Sequence, residues 1–468
     1  MNEFAMKRLS VLPSILFFVI AVLIISGFRI DDGWGQTGSS QTPAKPAEAE
    51  ATLFPVPDFT GNFWNRAKLT GDWGGLRSMM ANRGVQLDAD TVHTFQNVIS
   101  GGVDRTGRYV GTAEIVLKLD SNKMGLWPGG FLLARGEASF GTGVNLATGA
   151  LMPVNTEPVM QLPARDEMIL SHVVFTQFLS ERFAVAAGKL DTTGGDANEF
   201  AHGRGDDKFM NLAFSLNPVA LRTTPYAALG TGMIFLPNKD LQLSFSVIDT
   251  EGMTTRTGFD TLFRDGTTLA PELRWTIRPF GLTGHQNFGV LWSNADFNSL
   301  NQDPRTLISN AILGTPLREE SGSWAFMYNF DQYLYQEKSD PSQGFGIFGR
   351  FGISDGKANP IAQFYSFGFG GKGLIPTRDQ DRFGIGYYYL KISGDLRDVF
   401  PPLLRSRVGL DHEQGVELFY NFSVTPWLRV TPDLQFVDAA RNKAPLIGPN
   451  RKAIDTAVVA GLRVKIDF

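Results

Sequence analysis

The last twelve residues, Ala457–Phe468 (AVVAGLRVKIDF), set the pattern for the chain. Val458, Ala460, Leu462, Val464, Ile466 and Phe468 fall on one side of an extended strand. Val459, Gly461, Arg463, Lys465 and Asp467 fall on the other, because side chains alternate faces with period two. A soluble sheet with one buried face shows the same alternation. This strand, however, closes on an aromatic with no chain after it to lay a second layer on the apolar side. A strand with lipid on one face and a wet lumen on the other needs no such layer.

The same reading extends back along the chain. Strand-like segments are expected at about 85–99, 108–120, 130–140, 168–179, 183–191, 226–236, 241–250 and 268–278. They continue at about 286–297, 323–336, 344–354, 361–372, 382–393, 414–424, 427–437 and 455–468. That makes sixteen, and an even number brings both ends of a bacterial barrel to one side. Connections after even-numbered segments are mostly tight (SER, PNKD, FGLTG, TP). Those after odd-numbered segments are often long, at about 141–167, 192–225, 251–267, 298–322, 394–413 and 438–454. Sandwiches and propellers give no reason for this two-fold parity. The expected fold is all-β: a transmembrane antiparallel barrel of 16 strands with a short N-terminal helix. Alternation is clear at 241–248, 414–424 and 427–437, whereas 168–179 and 226–236 leave their faces unassigned. Trp127, Trp292, Trp324 and Trp427, at segment ends, fit interfacial girdles.

Composition narrows the class. Fifty-one Gly and 37 Phe suit strands, turns and aromatic surfaces. A net charge of −4 gives no nucleic-acid signal. The absence of Cys excludes disulfides, thiol catalysis and a lipid-modified cysteine. Lys7 and Arg8 precede an apolar run and small residues at Gly33 and Gly35, the layout of a secretory signal over 1–35, cut before Gln36. An uncleaved anchor helix is the rival reading. Residues 36–57 are Pro/Ala/Ser/Thr-rich and expected as a disordered tail. A periplasmic segment follows over 58–84, then the barrel over 85–468. In LTGDWGGLRSMMANRG, Asp72 is placed to cap a helix whose Leu76, Met79 and Met80 share a face, with Gly84 ending it. The plain reading is a small helix near the barrel mouth; the alternative is a direct role for Asp72 or Arg77.

Three segments carry a family resemblance: LTGDWGGLR at 69–77, GKLDTTGGDANEFAHG at 188–203 with KFMN at 208–211, and FYNFSVTPWLRVTPDLQFV at 419–437. With the terminal strand, they make the chain similar, from about residue 58 onward, to the carbohydrate-selective outer-membrane porins of the OprB type. The resemblance implies a sixteen-stranded channel that passes sugars passively. The middle, about 251–340, carries none of the matching motifs. A general porin for small polar solutes, a barrel-type membrane enzyme and an adhesin are the competing functions.

An empty barrel of this size is a wide hole, so selectivity needs a constriction. The longest connection, 192–225, holds Asp196, Asn198, Glu199, His202, Arg204, Asp206, Asp207 and Lys208 around an apolar FMNLAF, and is expected to fold inward. The alternative is an exposed loop over the mouth. Lumen faces carry Glu114, Lys118, Arg135, Glu137, Lys189, Glu272, Arg274, Arg278, Arg350, Glu417, Arg429, Asp433, Arg463 and Lys465. Both signs occur, which suits neutral, hydroxyl-rich solutes better than anions, and aromatic faces are candidates for stacking on sugar rings. The expected constriction set is Arg135, Glu137, Glu114, Lys189, Asp196, Asn198, Glu199, Arg204, Arg274 and Arg350, led by Arg135 and Glu137.

Other motifs are weak. GFGGKG at 368–373 lacks the Lys-Ser/Thr of a phosphate loop. Arg204-Gly205-Asp206 is an adhesion tripeptide that chance readily produces. The five His lack metal-ligand spacing. No metal, cofactor or catalytic residue is expected. Expected partners are permeating sugars, outer-membrane lipid and lipopolysaccharide, and the barrel assembly machinery through the strand ending at Phe468. Room is left for a homo-oligomer.

Overall fold

The computed structural model describes residues 53–159, 168–194, 196–252, 254–399, 410–440 and 454–468. The expected signal segment lies outside the described residues. Sixteen strands run as an antiparallel meander. The first eight are β1 (Val85–Ser100), β2 (Gly107–Asp120), β3 (Gly130–Gly141), β4 (Met168–Ser180), β5 (Phe183–Asp191), β6 (Ala227–Asn238), β7 (Leu241–Asp249) and β8 (Thr267–Ile277). The rest are β9 (Gly284–Asn298), β10 (Glu319–Gln336), β11 (Gly344–Ser354), β12 (Ile361–Lys372), β13 (Arg382–Ile392), β14 (Glu413–Thr425), β15 (Leu428–Asp438) and β16 (Ala457–Asp467). β1 pairs with β16 from Asp90↔Asp467 to Ser100↔Val458, so the sheet closes on itself. Closure removes both free edges, which is what allows strands to cross hydrocarbon.

The interior is filled unevenly. The loop joining β5 and β6 (192–226) folds into the lumen, as its apolar FMNLAF run predicts. Phe200, Phe209 and Phe214 from this loop pack on the inward faces of β11–β14, against Phe348, Phe364, Tyr388 and Phe419. Phe209 sits 4.6 Å from Phe214 and 4.8 Å from Phe419, ring centre to ring centre. Inward-facing glycines make the room. A Cβ on Gly346 would lie 2.6 Å from the Phe200 ring, and one on Gly386 would lie 2.5 Å from Phe214. Gly368 and Gly370 of the GFGGKG stretch serve the same end, against Phe348 and Phe200.

A second loop also enters. The β3–β4 loop (142–167) gives its Leu151 and Met152 amides to the buried Glu413 carboxylate at 2.6 and 2.8 Å. Its Pro153 carbonyl accepts from Leu212 at 3.0 Å, so the two loops brace each other. Length and charge singled out only one of them.

The two strands with unassigned faces have separate causes. A register shift beside Arg135 and Gly136 turns both Ser171 and His172 of β4 into buried positions, the usual effect of a bulge. In β6, Ala227 through Gly230 are buried on both faces, because the β7–β8 loop covers the outer side while the β5–β6 loop covers the inner. Period two vanishes wherever both faces are covered.

Three expectations need correction. Helix α1 (Leu76–Asn82) buries Arg77 and Ala81, while Leu76 and Met79 stay exposed. The barrel rim offers this helix a polar strand end, not an apolar surface. Phe54, placed in the disordered tail, is buried against Phe131 at 5.5 Å. Trp427 is buried under Phe63 instead of facing lipid.

Candidate pore constriction

Six polar side chains meet where the β5–β6 loop crosses the lumen. Arg135 of β3 reaches Glu114 of β2 at 3.1 Å and Asp191 at the end of β5 at 3.0 Å. Arg204, from the loop, forks onto Glu137 at 2.7 Å and also contacts Asp191. The Tyr226 hydroxyl donates to Glu137 and accepts from Arg204 at 3.1 Å. Glu137 and Asp191 are each 2% exposed. Two buried carboxylates persist here because planar guanidinium groups and hydroxyl donors saturate them. Ser171, turned inward by the bulge, supplies one of those donors at 2.8 Å.

The rest of the loop is stapled to the opposite wall. Arg350 of β11 holds Asp196, its Nε–Oδ2 distance 2.7 Å. Asn198 donates to Asn329 at 2.7 Å. Glu417 receives the Met210 and Asn211 amides, and Arg463 donates to the Gly205 and Lys208 carbonyls. Lys465 pairs with Asp206, and Arg382 with Asp207 at 3.2 Å. Thus Arg204-Gly205-Asp206 is folded into the barrel as structural charge.

A void of about 500 Å³ remains between the loop and the walls formed by β1–β3 and β7–β10. Arg135, Glu137, Glu114, Asp196, Arg204 and Arg274 of the expected set line it. Glu199 does not; its amide donates to Asp331 at 3.1 Å. Asn198 and Arg350 lie behind the lining as anchors. Lys189 is off the site altogether. It pairs with Val173 and Leu229, on the face opposite Arg135, and its ammonium donates to the Thr254 carbonyl at 3.1 Å and the Arg256 carbonyl at 2.7 Å of the β7–β8 loop. The strand twists at its end, so Asp191 turns into the lumen while Lys189, two residues earlier, does not.

Sequence reasoning passed over Asp191, Tyr226 and Glu157. Glu157 comes from the β3–β4 loop, accepts from Thr112, and lines the void. Burial pushes its carboxyl up to about 8, with nearby Asp206 adding to the effect. Nothing in its local sequence marks it. The lining is also less aromatic than expected: among the described residues no Phe, Tyr or Trp faces the void. The inner aromatics are spent on seating the loop.

A closed sixteen-strand barrel with a loop folded into its lumen and a charge-lined void beside that loop is the architecture of an outer-membrane porin. The sequence profile of the "Carbohydrate-selective porin, OprB family" matches residues 104–468. The chain belongs to that family and is a carbohydrate-selective porin of the bacterial outer membrane. It is 23% identical over 434 residues to "Porin B" of Pseudomonas aeruginosa, covering 86% of this chain and 92% of that protein. It is 19% identical over 454 residues to "Putative porin QuiX" of Acinetobacter baylyi, covering 89% and 97%. In three dimensions it is similar to Pseudomonas putida OprB at high pH, with a TM-score of 0.73 and 21% identity, covering 87% of this chain and all of that one.

Proposed function

We propose that the void is the selectivity constriction and that it passes monosaccharide-sized neutral sugars. The observation that carries this is an asymmetry of pairing. Every other Asp, Glu and Arg lining the void is tied to a protein partner. Glu272 and Arg274, two apart on the inward face of β8, line the void and have among the described residues no hydrogen bond and no ion pair within 4.0 Å, only the attraction of each other's charge. A permeating hydroxyl meets one acceptor and one forked donor there, with the Arg135–Glu114 pair lining the same void. Such contacts replace part of the sugar's hydration without holding it tightly, as conduction requires. The volume falls within the range of about 300–1,000 Å³ typical of small-molecule sites. Among the described residues no aromatic ring lines the void, so the reading is for single sugars and not for successive stacked rings of a long oligosaccharide.

The protein is a channel, and no chemical step on the solute is proposed. Its outer face, with clusters such as Phe351–Tyr365 at 5.3 Å, suits outer-membrane lipid and lipopolysaccharide, and the strand ending at Phe468 suits the assembly machinery. Single-channel current titrated with glucose tests the reading. Concentration-dependent block is expected in the wild type, weakened several-fold in Arg274→Ala. Current that stays constant under graded glucose would remove the sugar role from this site while leaving the pore intact.

A further inference from the structure

The LTGDWGGLR motif has no part in the void, yet it makes a set of polar contacts on the periplasmic rim. The reason lies at the closure of the barrel. β16 stops pairing with β1 at Asp90↔Asp467, whereas β1 continues down to Val85 against β2 alone. The seam therefore ends in backbone carbonyls that no neighbouring strand serves. An unserved edge is where a sheet opens or pairs with something else.

The motif serves these carbonyls. Arg77 donates to the Leu87 carbonyl on β1 at 2.9 Å and to the Phe468 carbonyl beyond β16 at 3.0 Å. The Leu69 amide donates to the Asp467 carbonyl at 2.8 Å. Lys68 sits between Asp88 of β1 and Asp467 of β16, at 3.7 and 3.6 Å. The Arg77 guanidinium, 3% exposed, lies over the Phe59 ring at 4.4 Å and the Trp73 ring at 4.9 Å. Stacking fixes its plane so that one group spans both strands. The rest of the motif builds the turn that delivers it. Gly74 (φ 69°) and Gly75 (φ 92°) adopt left-handed backbone. Asp72 then receives both the amide and the hydroxyl of Ser78 at 2.7 Å.

We infer that LTGDWGGLR is a clasp across the β1–β16 seam, with Arg77 as the residue that joins the two strands and keeps the finished barrel from opening sideways. Arg77 takes no part in conduction. A Lys at this position keeps the charge but not the plane, stacked on Phe59 and Trp73, that aims one nitrogen at both carbonyls.

The test is the temperature at which the folded, detergent-purified protein converts to its unfolded form on gel electrophoresis. Arg77→Ala is expected to lower it by roughly 5 °C or more, Arg77→Lys by less. Arg278→Ala, which removes an exposed ion pair to Asp240 on a periplasmic turn, should leave it unchanged. The chain has no native Cys, so engineered disulfides report the location. A bridge between His93→Cys and Val464→Cys, paired across the seam, should restore Arg77→Ala. One between Leu273→Cys and Phe288→Cys, in the β8–β9 wall, should not. Equal rescue by both bridges, or an Arg77→Ala protein as heat-resistant as wild type, overturns the clasp. If Arg77→Ala does not fold alone, the comparison is made with Arg77→Lys in the two disulfide backgrounds.

Discussion

Arg350 and Asp196 lie 154 residues apart in sequence and are joined by a two-point ion pair, Nε to Oδ2 at 2.7 Å, with Arg350 3% exposed. Arg350 also donates to the Ala201 carbonyl. One side chain of the barrel wall thus holds the β5–β6 loop at two points, and the loop's position sets the width of the void.

Arg350→Ala is therefore expected to release the near end of the loop while the aromatic seat under Phe209 and Phe214 stays in place. Removing one partner of a buried ion pair costs about 3–5 kcal/mol. The expected result is a larger and noisier single-channel conductance with weaker glucose block. Conductance recorded beside the wild type checks it; identical traces would show that the loop is held elsewhere.

The glycine positions under the loop rings give a second expectation. Gly386→Ala places a methyl 2.5 Å from Phe214, and overpacking of this kind costs about 1–3 kcal/mol. Gly136→Ala meets nothing nearer than 3.7 Å and serves as the comparison. A lower unfolding midpoint in urea for the first and not the second is the outcome that supports loop seating by ring–glycine contact.

Glu157 predicts a pH response. Its carboxyl is protonated at neutral pH in the folded protein, since burial, helped by Asp206, pushes it up to about 8 from an ordinary 4.5. The folded form binds the proton more tightly, so its contribution to loop docking is full below about 4.5 and falls away as pH rises through about 8. Between pH 6 and 9 a negative charge should appear in the void and increase the preference for cations, measured as a reversal potential across a salt gradient. Glu157→Gln should lessen that change, with Asp90 and Glu272 of the same void supplying the remainder. If the mutant and wild type shift alike, the titrating group is another.

Arg204→Lys is expected to damage the site more than its conserved charge suggests. Lys is a point donor and does not fork onto Glu137 while holding Asp191 and Tyr226. Reduced sugar block together with reduced thermal stability is expected, and retention of both would mean that Arg135 alone holds the cluster.

Much of the barrel was legible along the chain because lipid and water impose opposite demands on alternate residues. That requirement is local, so the alternation in β7, β14, β15 and β16 gave both strand and face, and strand parity gave the rims. Arg135, Glu137 and Glu114 were legible for the same reason, as charges on lumen faces. Only the tertiary structure decided the rest. Lys189 keeps to the outward face of β5, and Asp191, two residues on, turns into the lumen because the strand end departs from period two. Asp191, Tyr226 and Glu157 became part of the site, or of its lining, through contacts to Arg135, Glu137 and Thr112 across 45 to 89 residues of chain, a distance at which no local pattern operates. The inner aromatics were visible as composition, but their burial under the loop depends on which glycines face them across the lumen, and closure of the barrel alone sets that.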